Sequence, residues 1–515
     1  MADRNSQIIM CKNIKLDRNY NNVLNYTEAQ MLSLCRANQV ASASNYSFIR
    51  ERGTIKTHFP YAQCLQSNYI AFQNSDYSNK WFFAWIDEVT YKSDGTGELS
   101  FTIDIWSTWF RNITLTQCVV EREHVNNDTI GLHTLEEGLN VGDVVEESTM
   151  ELLNSDIYLI IESTYNLVTN RDVDYLSQFN GNFSGSIYYV FSRTNILTNV
   201  TSFLRDLASE SKISSILNMF IAPKILVDEI GTTAWGKYTI LNETSTSAIE
   251  ETLDIIRQES FSDYTPKNNK LLCYPYNYMI VSNNVGNNLL LKYENFEWEY
   301  DKDIQRNVAQ VLIEMAFSIG SSIRLIPKNY KKISKNYDES LPLAKFPTCS
   351  WSADSFTNWL TSQAVNISTD VVATGISIAS GNVVGSLSSM AGMLGQFYSA
   401  SLLPSIHGGN NVGDVNYSAG KNTFIIHHMR AKTEYLKIID DYFTKFGYKI
   451  LETKIPNITG RSIFNYVKIL NGENIGYGIQ NKELETINEI FRSGVTIWHN
   501  HANIGNYNLN NSIVQ

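Results

Sequence analysis

The chain has 515 residues, 43% of them hydrophobic, 12% aromatic and 18% charged, with a formal net charge of −11. So much aromatic surface must be packed away, which excludes disordered, collagenous and repetitive fibrous classes and fits roughly two or three domains. The acidic balance removes the long-range attraction to phosphate on which avid nucleic-acid binders depend, and no basic run offsets it.

The N-terminal residues are polar, and the apolar run Ile8-Ile9-Met10 is too short for a signal-peptide core, so synthesis in the cytoplasm is expected. Thr27 with Gln30 three residues on forms a capping-box pattern and predicts a helix through Met31, Leu32 and Leu34. A hairpin is expected between about residues 80 and 106, turning at Ser93-Asp94-Gly95-Thr96-Gly97. Its second arm alternates, with Leu99, Phe101, Ile103 and Ile105 facing a core and Ser100, Thr102 and Asp104 facing water. Residues 156–161 and 186–191 read as strands. Residues 302–319 read as a helix, with Ile304, Val308, Val311, Leu312, Met315 and Ile319 on one stripe and Gly320 as its stop. A second helix is expected from about His427 to Phe446, burying Met429, Tyr435, Leu436, Ile439, Tyr442, Phe443 and Phe446, with Asp440 and Asp441 on its solvated face. A third runs from Lys482 to Arg492 and buries Leu484, Ile487, Ile490 and Phe491 before Gly494. The fold class is α+β and β-rich. Residues 1–150 form a β-rich part, 151–350 a mixed α/β region, 351–420 a hydrophobic loop with its flanks, and 421–515 a C-terminal part.

One segment breaks the pattern. Residues 371–413 contain no Asp, Glu, Lys or Arg, yet hold eight of the 28 glycines. As helices this length makes two bilayer passes, and as tilted strands roughly 9–11 residues suffice for each. The apolar side chains are Val371, Val372, Ile376, Ile378, Val383, Val384, Leu387, Met390, Met393, Leu394, Phe397, Leu402 and Leu403. They are interleaved with Gly375, Gly381, Gly385, Gly392 and Gly395, and Gly381 to Gly385 is a small-xxx-small packing motif. Such a composition suits a plastic, storable, membrane-inserting segment, and equally a helical hairpin buried in a large core. Trp351, Phe356 and Trp359 precede it and suit either a membrane boundary or a core.

Motifs of catalysis are missing. Cys11, Cys35, Cys64, Cys118, Cys273 and Cys349 never come in CxxC pairs, so buried thiols are expected rather than zinc, dithiol chemistry or a disulfide scaffold. His427 and His428 are adjacent and poorly placed to chelate on a helix, and His499-Asn500-His501 alone is a weak metal signal. The nearest approach to a nucleophile elbow, Gly375-Ile376-Ser377-Ile378-Ala379, has Ala where Gly is needed. Gly420-Lys421 ends like a phosphate loop, but Asn422 stands where Ser or Thr would hold magnesium. No enzyme activity, cofactor or metal is expected.

Several stretches, in order, carry a resemblance. They are Trp85-Ile86-Asp87-Glu88-Val89, residues 101–109 (FTIDIWSTW), residues 120–131 (VEREHVNNDTIG), residues 266–271 (PKNNKL) and Tyr274-Pro275-Tyr276-Asn277. Asp440-Asp441-Tyr442-Phe443, Phe446-Gly447-Tyr448, Asn465-Tyr466-Val467-Lys468 and Trp498-His499 follow. Together the chain resembles the tail knob, or distal tail tube, proteins of small short-tailed bacteriophages of the Picovirinae type. The resemblance implies antiparallel sheets forming a tube with packed helices, a homohexameric ring at the distal end of the virion tail, and contacts with proximal tail and collar proteins. It implies that the genome passes through without tight binding. It also implies that the Gly/Ser-rich loop at 371–413 is released into the lipid of the host cytoplasmic membrane. A receptor-binding tail protein and a tail-tip cell-wall hydrolase are the alternative readings.

Overall fold

The computed structural model describes residues 6–514 except 45–46, 50–52, 75–77, 153–155, 174–177, 180–181, 184, 193, 213–214, 243–248, 284–286, 317–321, 344–347, 351–408, 413–414 and 419–423. It contains two compact units, neither continuous in sequence. The first joins Met1–Val141, Pro266–Leu271 and Thr433–Gln515; the second joins Gly142–Thr265 and Leu272–Lys432.

In the first unit a seven-stranded antiparallel sheet is built around the hairpin of Trp81–Ser93 and Thr96–Ile103. Residues 81–86 are buried and residues 87 and 88 are exposed, so the arm changes from core strand to solvent-facing ribbon within its length. On one face Trp81, Phe83, Trp85, Tyr69, Ala71 and Ile9 pack with Met31 and Cys35 of the helix Glu28–Ala37. That helix begins at Thr27 with a complete capping box, the Gln30 side chain accepting from the Thr27 N–H at 2.9 Å. The alternation after Leu99 stops one step earlier than the sequence suggests. The strand ends at Ile103, and Asp104 is buried rather than wet, accepting from the Ser107 N–H at 3.0 Å to cap the short helix Ile105–Trp109 and from the Tyr69 hydroxyl at 2.7 Å. A short acid that can bind its own backbone three residues on prefers that to continuing a ladder.

A five-stranded sheet completes this unit in the order Asn22–Leu24, Val495–Trp498, Phe464–Asn471, Cys118–Glu123, Tyr448–Lys454. Its first pair is parallel, joining residues near the beginning of the chain to residues near its end. The helix Asn481–Ser493 lies where expected, buries Ile487, Ile490 and Phe491, and stops at Gly494. Phe491 packs on Trp106, which stacks on Phe110 with ring centroids 4.0 Å apart.

The second unit carries the expected strands as Ile157–Ser163 and Ile187–Ser192, central in a six-stranded sheet. The helix expected over 302–319 is a strand, Arg306–Ala316, paired on both sides with Ile249–Ile256 and Ser322–Tyr330. Val308, Ala309, Val311, Leu312 and Ile313 are all buried, so both faces of the strand are covered. A strand enclosed on both faces reads as a predominantly apolar run that also satisfies a helical template, and here the β-branched residues decide it. The helix expected from His427 is likewise divided. Ile425–Ala431 is a strand beside Val144–Glu151 and Asn277–Ser282, and the helix itself is Thr433–Phe446. On that strand His427 reaches Glu146 at 2.8 Å, whereas His428 is buried beside the Tyr293 hydroxyl, so the two rings take opposite faces. Cys11, Cys35, Cys64 and Cys118 are free thiols and buried, and Cys273 is buried as well.

Candidate functional site

Most of the stretches that carry the sequence resemblance meet in the first unit, around the strand Cys118–Glu123 and the helix Thr433–Phe446. The strand lies between two neighbours in its sheet, which buries Arg122, Glu123 and the following His124. The segment Pro266–Leu271, remote in sequence, is tied to the helix by one carboxylate. Asp440 accepts from the backbone N–H of Lys267 at 2.8 Å and of Asn268 at 3.1 Å, and from the Asn268 side-chain amide at 2.7 Å. Asp440 is fully buried, not on the solvated face expected of it. The signal was present: it stands four residues after Leu436 and three before Phe443, both core positions of the same helix.

The next residues of the segment engage two further acids. Asn269 donates its N–H to Asp128 at 3.0 Å, and Tyr448 donates its hydroxyl to the same carboxylate at 2.7 Å. Burial pushes the Asp128 carboxyl above its ordinary range and the Tyr448 hydroxyl well above its own. Lys270 and Arg122 both pair with Glu137, whose Oε1 also accepts from the Lys449 N–H at 3.1 Å. The side chains of this triad are almost wholly enclosed. The ammonium of Lys270 also lies 5.3 Å from the Tyr448 ring centroid, and the Arg122 guanidinium 5.0 Å from that of Tyr442. Arg122 further donates to the Gly447 carbonyl at 2.8 Å. Glu137 belongs to none of the stretches picked out in the sequence, and its surroundings there give no warning of a buried acid.

His124 is held in one tautomer. Its Nδ1 accepts from the Tyr466 N–H at 2.8 Å, so Nε2 carries the proton and donates to the Thr444 carbonyl at 3.0 Å. Burial, aided by the nearby Arg461 charge, pushes its pKa down to about 3. Gly447 fits here because its φ is +63° and a Cβ would lie 2.1 Å from the Glu123 carbonyl oxygen. The chemistry of this knot is retention: each named acid is paired or hydrogen-bonded, and the groups are fixed rather than poised to attack anything.

His499 and His501 do not converge. His499 contacts Asn25 and Asn465, while His501 accepts from the Lys15 N–H at 3.1 Å. Among the described residues no group of three or more His, Cys, Asp and Glu side chains is placed to hold a metal ion, and no helix is long and apolar enough to cross a membrane. The apolar residues from Val371 to Leu403 and the glycines from Gly375 to Gly395 lie outside the described residues, as do Trp351, Phe356 and Trp359. Before them the strand Thr348–Ser350 pairs with Ile216–Pro223; after them Gly409–Val412 pairs with Val415–Ser418.

Residues 237–512 match the family model described as the C-terminal domain of tail knob protein gp9 of Bacillus phage phi29, and residues 4–114 match the caudoviral major tail protein N-terminus. The chain is 25% identical to tail knob protein gp9 of Bacillus phage PZA and 24% identical to that of phi29, with 93% of each chain covered in both cases. It is 24% identical to the corresponding protein of Bacillus phage B103, over 86% of this chain and 87% of that one. The fold is similar to that of the bacteriophage C1 tail knob protein gp12, with a TM-score of 0.70 and 15% identity over 99% of this chain and all of that one. With a family model spanning more than half of its length, the chain belongs to the tail knob protein family of bacteriophages.

Proposed function

We propose that the chain is a subunit of a homohexameric distal tail tube that conducts the genome out of the virion, and that residues 371–413 supply the membrane-penetrating loop. The observation that carries the membrane half is the length of the uncharged run in a chain that is 18% charged overall, within a tail knob family member. A run of this kind left exposed on a soluble protein would aggregate, and storage inside a ring solves that problem. The conduit half is supported by the acidic balance. Every phosphate paired with Lys or Arg adds affinity by counterion release, and a bore with many such pairs would hold its cargo.

Two experiments test the reading. Electron microscopy of the purified protein is expected to show six-fold rings with a central bore; monomers or closed particles would count against the conduit. The protein is expected to release dye from liposomes, and deletion of residues 371–408, which spares the Gly409–Val412 strand and its partner, is expected to abolish release while rings persist. Undiminished leakage from the deletion variant would remove the membrane role.

A further inference from the structure

Beside the buried knot lies a cavity of about 240 Å³ whose walls include Lys267, Arg461 and the C-terminal stretch 507–511. Its lining contains two cations and no carboxylate, in a chain whose formal net charge is −11. Arg461 donates through Nε to the Val125 carbonyl at 3.1 Å and through Nη1 to the Asn511 carbonyl at 3.4 Å. No ion pair engages it among the described residues. Asp128 acts on it electrostatically but spends its oxygens on Tyr448 and Asn269. The Lys267 ammonium is exposed and makes a loose, solvent-exposed ion pair with Asp441 at 3.6 Å.

The opposite wall is built in advance. The Asn511 side chain accepts from the N–H groups of Ile463 and Phe464 and donates to the Phe464 carbonyl at 2.8 Å. The Tyr507 ring packs on Phe464 and Trp498. The stretch between these anchors therefore presents the exposed Asn508 and Asn510 amides from a fixed backbone. A guanidinium fork and an ammonium recognise a phosphate; carboxamides, which donate and accept, recognise hydroxyls.

We propose that this cavity binds a small phosphorylated polyol, its phosphate between Lys267 and Arg461 and its hydroxyls on Asn508 and Asn510. Calorimetric titration of the full chain with glycerol 3-phosphate, inorganic phosphate and glycerol tests this. Saturable binding of glycerol 3-phosphate is expected, with no binding of glycerol and weaker binding of inorganic phosphate. Lys267→Ala is expected to weaken binding about tenfold or more, because a charge-assisted contact is lost. Its side chain is exposed, so the unfolding midpoint should not move; Arg461→Lys keeps the charge but loses the fork and should also weaken binding. Absence of saturable binding, or equal affinity in both variants, would overturn the site. Equal affinity for inorganic phosphate would overturn the polyol assignment.

Discussion

Asn268 and Asp440 stand 172 positions apart, yet the side-chain amide of the first donates to the carboxylate of the second at 2.7 Å. The same carboxylate receives two backbone N–H groups, so it does for a remote loop what an N-cap does for a helix. Asp440→Ala leaves those donors buried without an acceptor and is expected to cost about 3–5 kcal/mol; Asp440→Asn, which retains one acceptor oxygen, about 1–3 kcal/mol. Urea unfolding of the full chain checks both, and equal losses would contradict the assignment.

Glu137 neutralises two buried cations at once. Glu137→Gln strands Arg122 and Lys270 and is expected to destabilise by about 3–5 kcal/mol. Pairing that change with Lys270→Met should cost less than the sum of the single variants, because the second substitution removes one of the stranded charges. A double-mutant cycle reads the difference directly; strict additivity would show that the triad is not coupled.

The pH response has a definite sign. An unfolded histidine titrates near 6.5, whereas folded His124 refuses its proton until about pH 3. Between those values the unfolded chain binds the extra proton, so stability falls by about 1.4 kcal/mol for each unit of acidification. Asp128 opposes this near the acid end, since burial raises its carboxyl and the folded state gains that proton early. Burial also holds His428, His499 and His501 below the usual histidine range, so the variant must be compared with the parent chain at pH 7 and pH 5: His124→Asn should flatten the dependence by about 2 kcal/mol over that interval. An unchanged slope would show that His124 is not the titrating group.

Gly447 and Gly478 make a matched pair. Both have positive φ, but a Cβ at Gly447 meets the Glu123 carbonyl, while one at Gly478 has nothing within 4 Å. Alanine at 478 is expected to cost about 1 kcal/mol, from backbone conformation alone. At 447 the sheet and helix must also part, and a loss of more than about 3 kcal/mol is expected in thermal melts.

What the sequence disclosed followed the reach of its signals. Thr27 with Gln30, Asp94 with Gly95, and the spacing of Ile487, Ile490 and Phe491 act within a few residues, and their elements stand as expected. Residues 302–319 misled because an apolar run covered on both faces fits two periodicities, and only the pairing with Ile249–Ile256 and Ser322–Tyr330 chooses between them. Asp104 misled in another way, since its alternation was right until the side chain found the Ser107 N–H. The knot was half legible. The stretches that compose it stood out individually, whereas the partnership of Glu137 with Arg122 and Lys270 depends on distances that only folding creates.

The parallel pairing of Asn22–Leu24 with Val495–Trp498 imposes a timetable on manufacture. The Trp498 indole reaches back 476 positions to Asn22, so at roughly 5–20 residues per second the amino-terminal strand waits about half a minute to a minute and a half for its neighbour to leave the ribosome. The stretch from Gly142 to Lys432, interrupted only by Pro266–Leu271, has its own strands to hand throughout that delay. A chain cut short before Val495 can therefore still complete the seven-stranded sheet, whose strands all lie between residues 6 and 103, yet it leaves Asn22–Leu24 permanently without the strand that ties it into the five-stranded one.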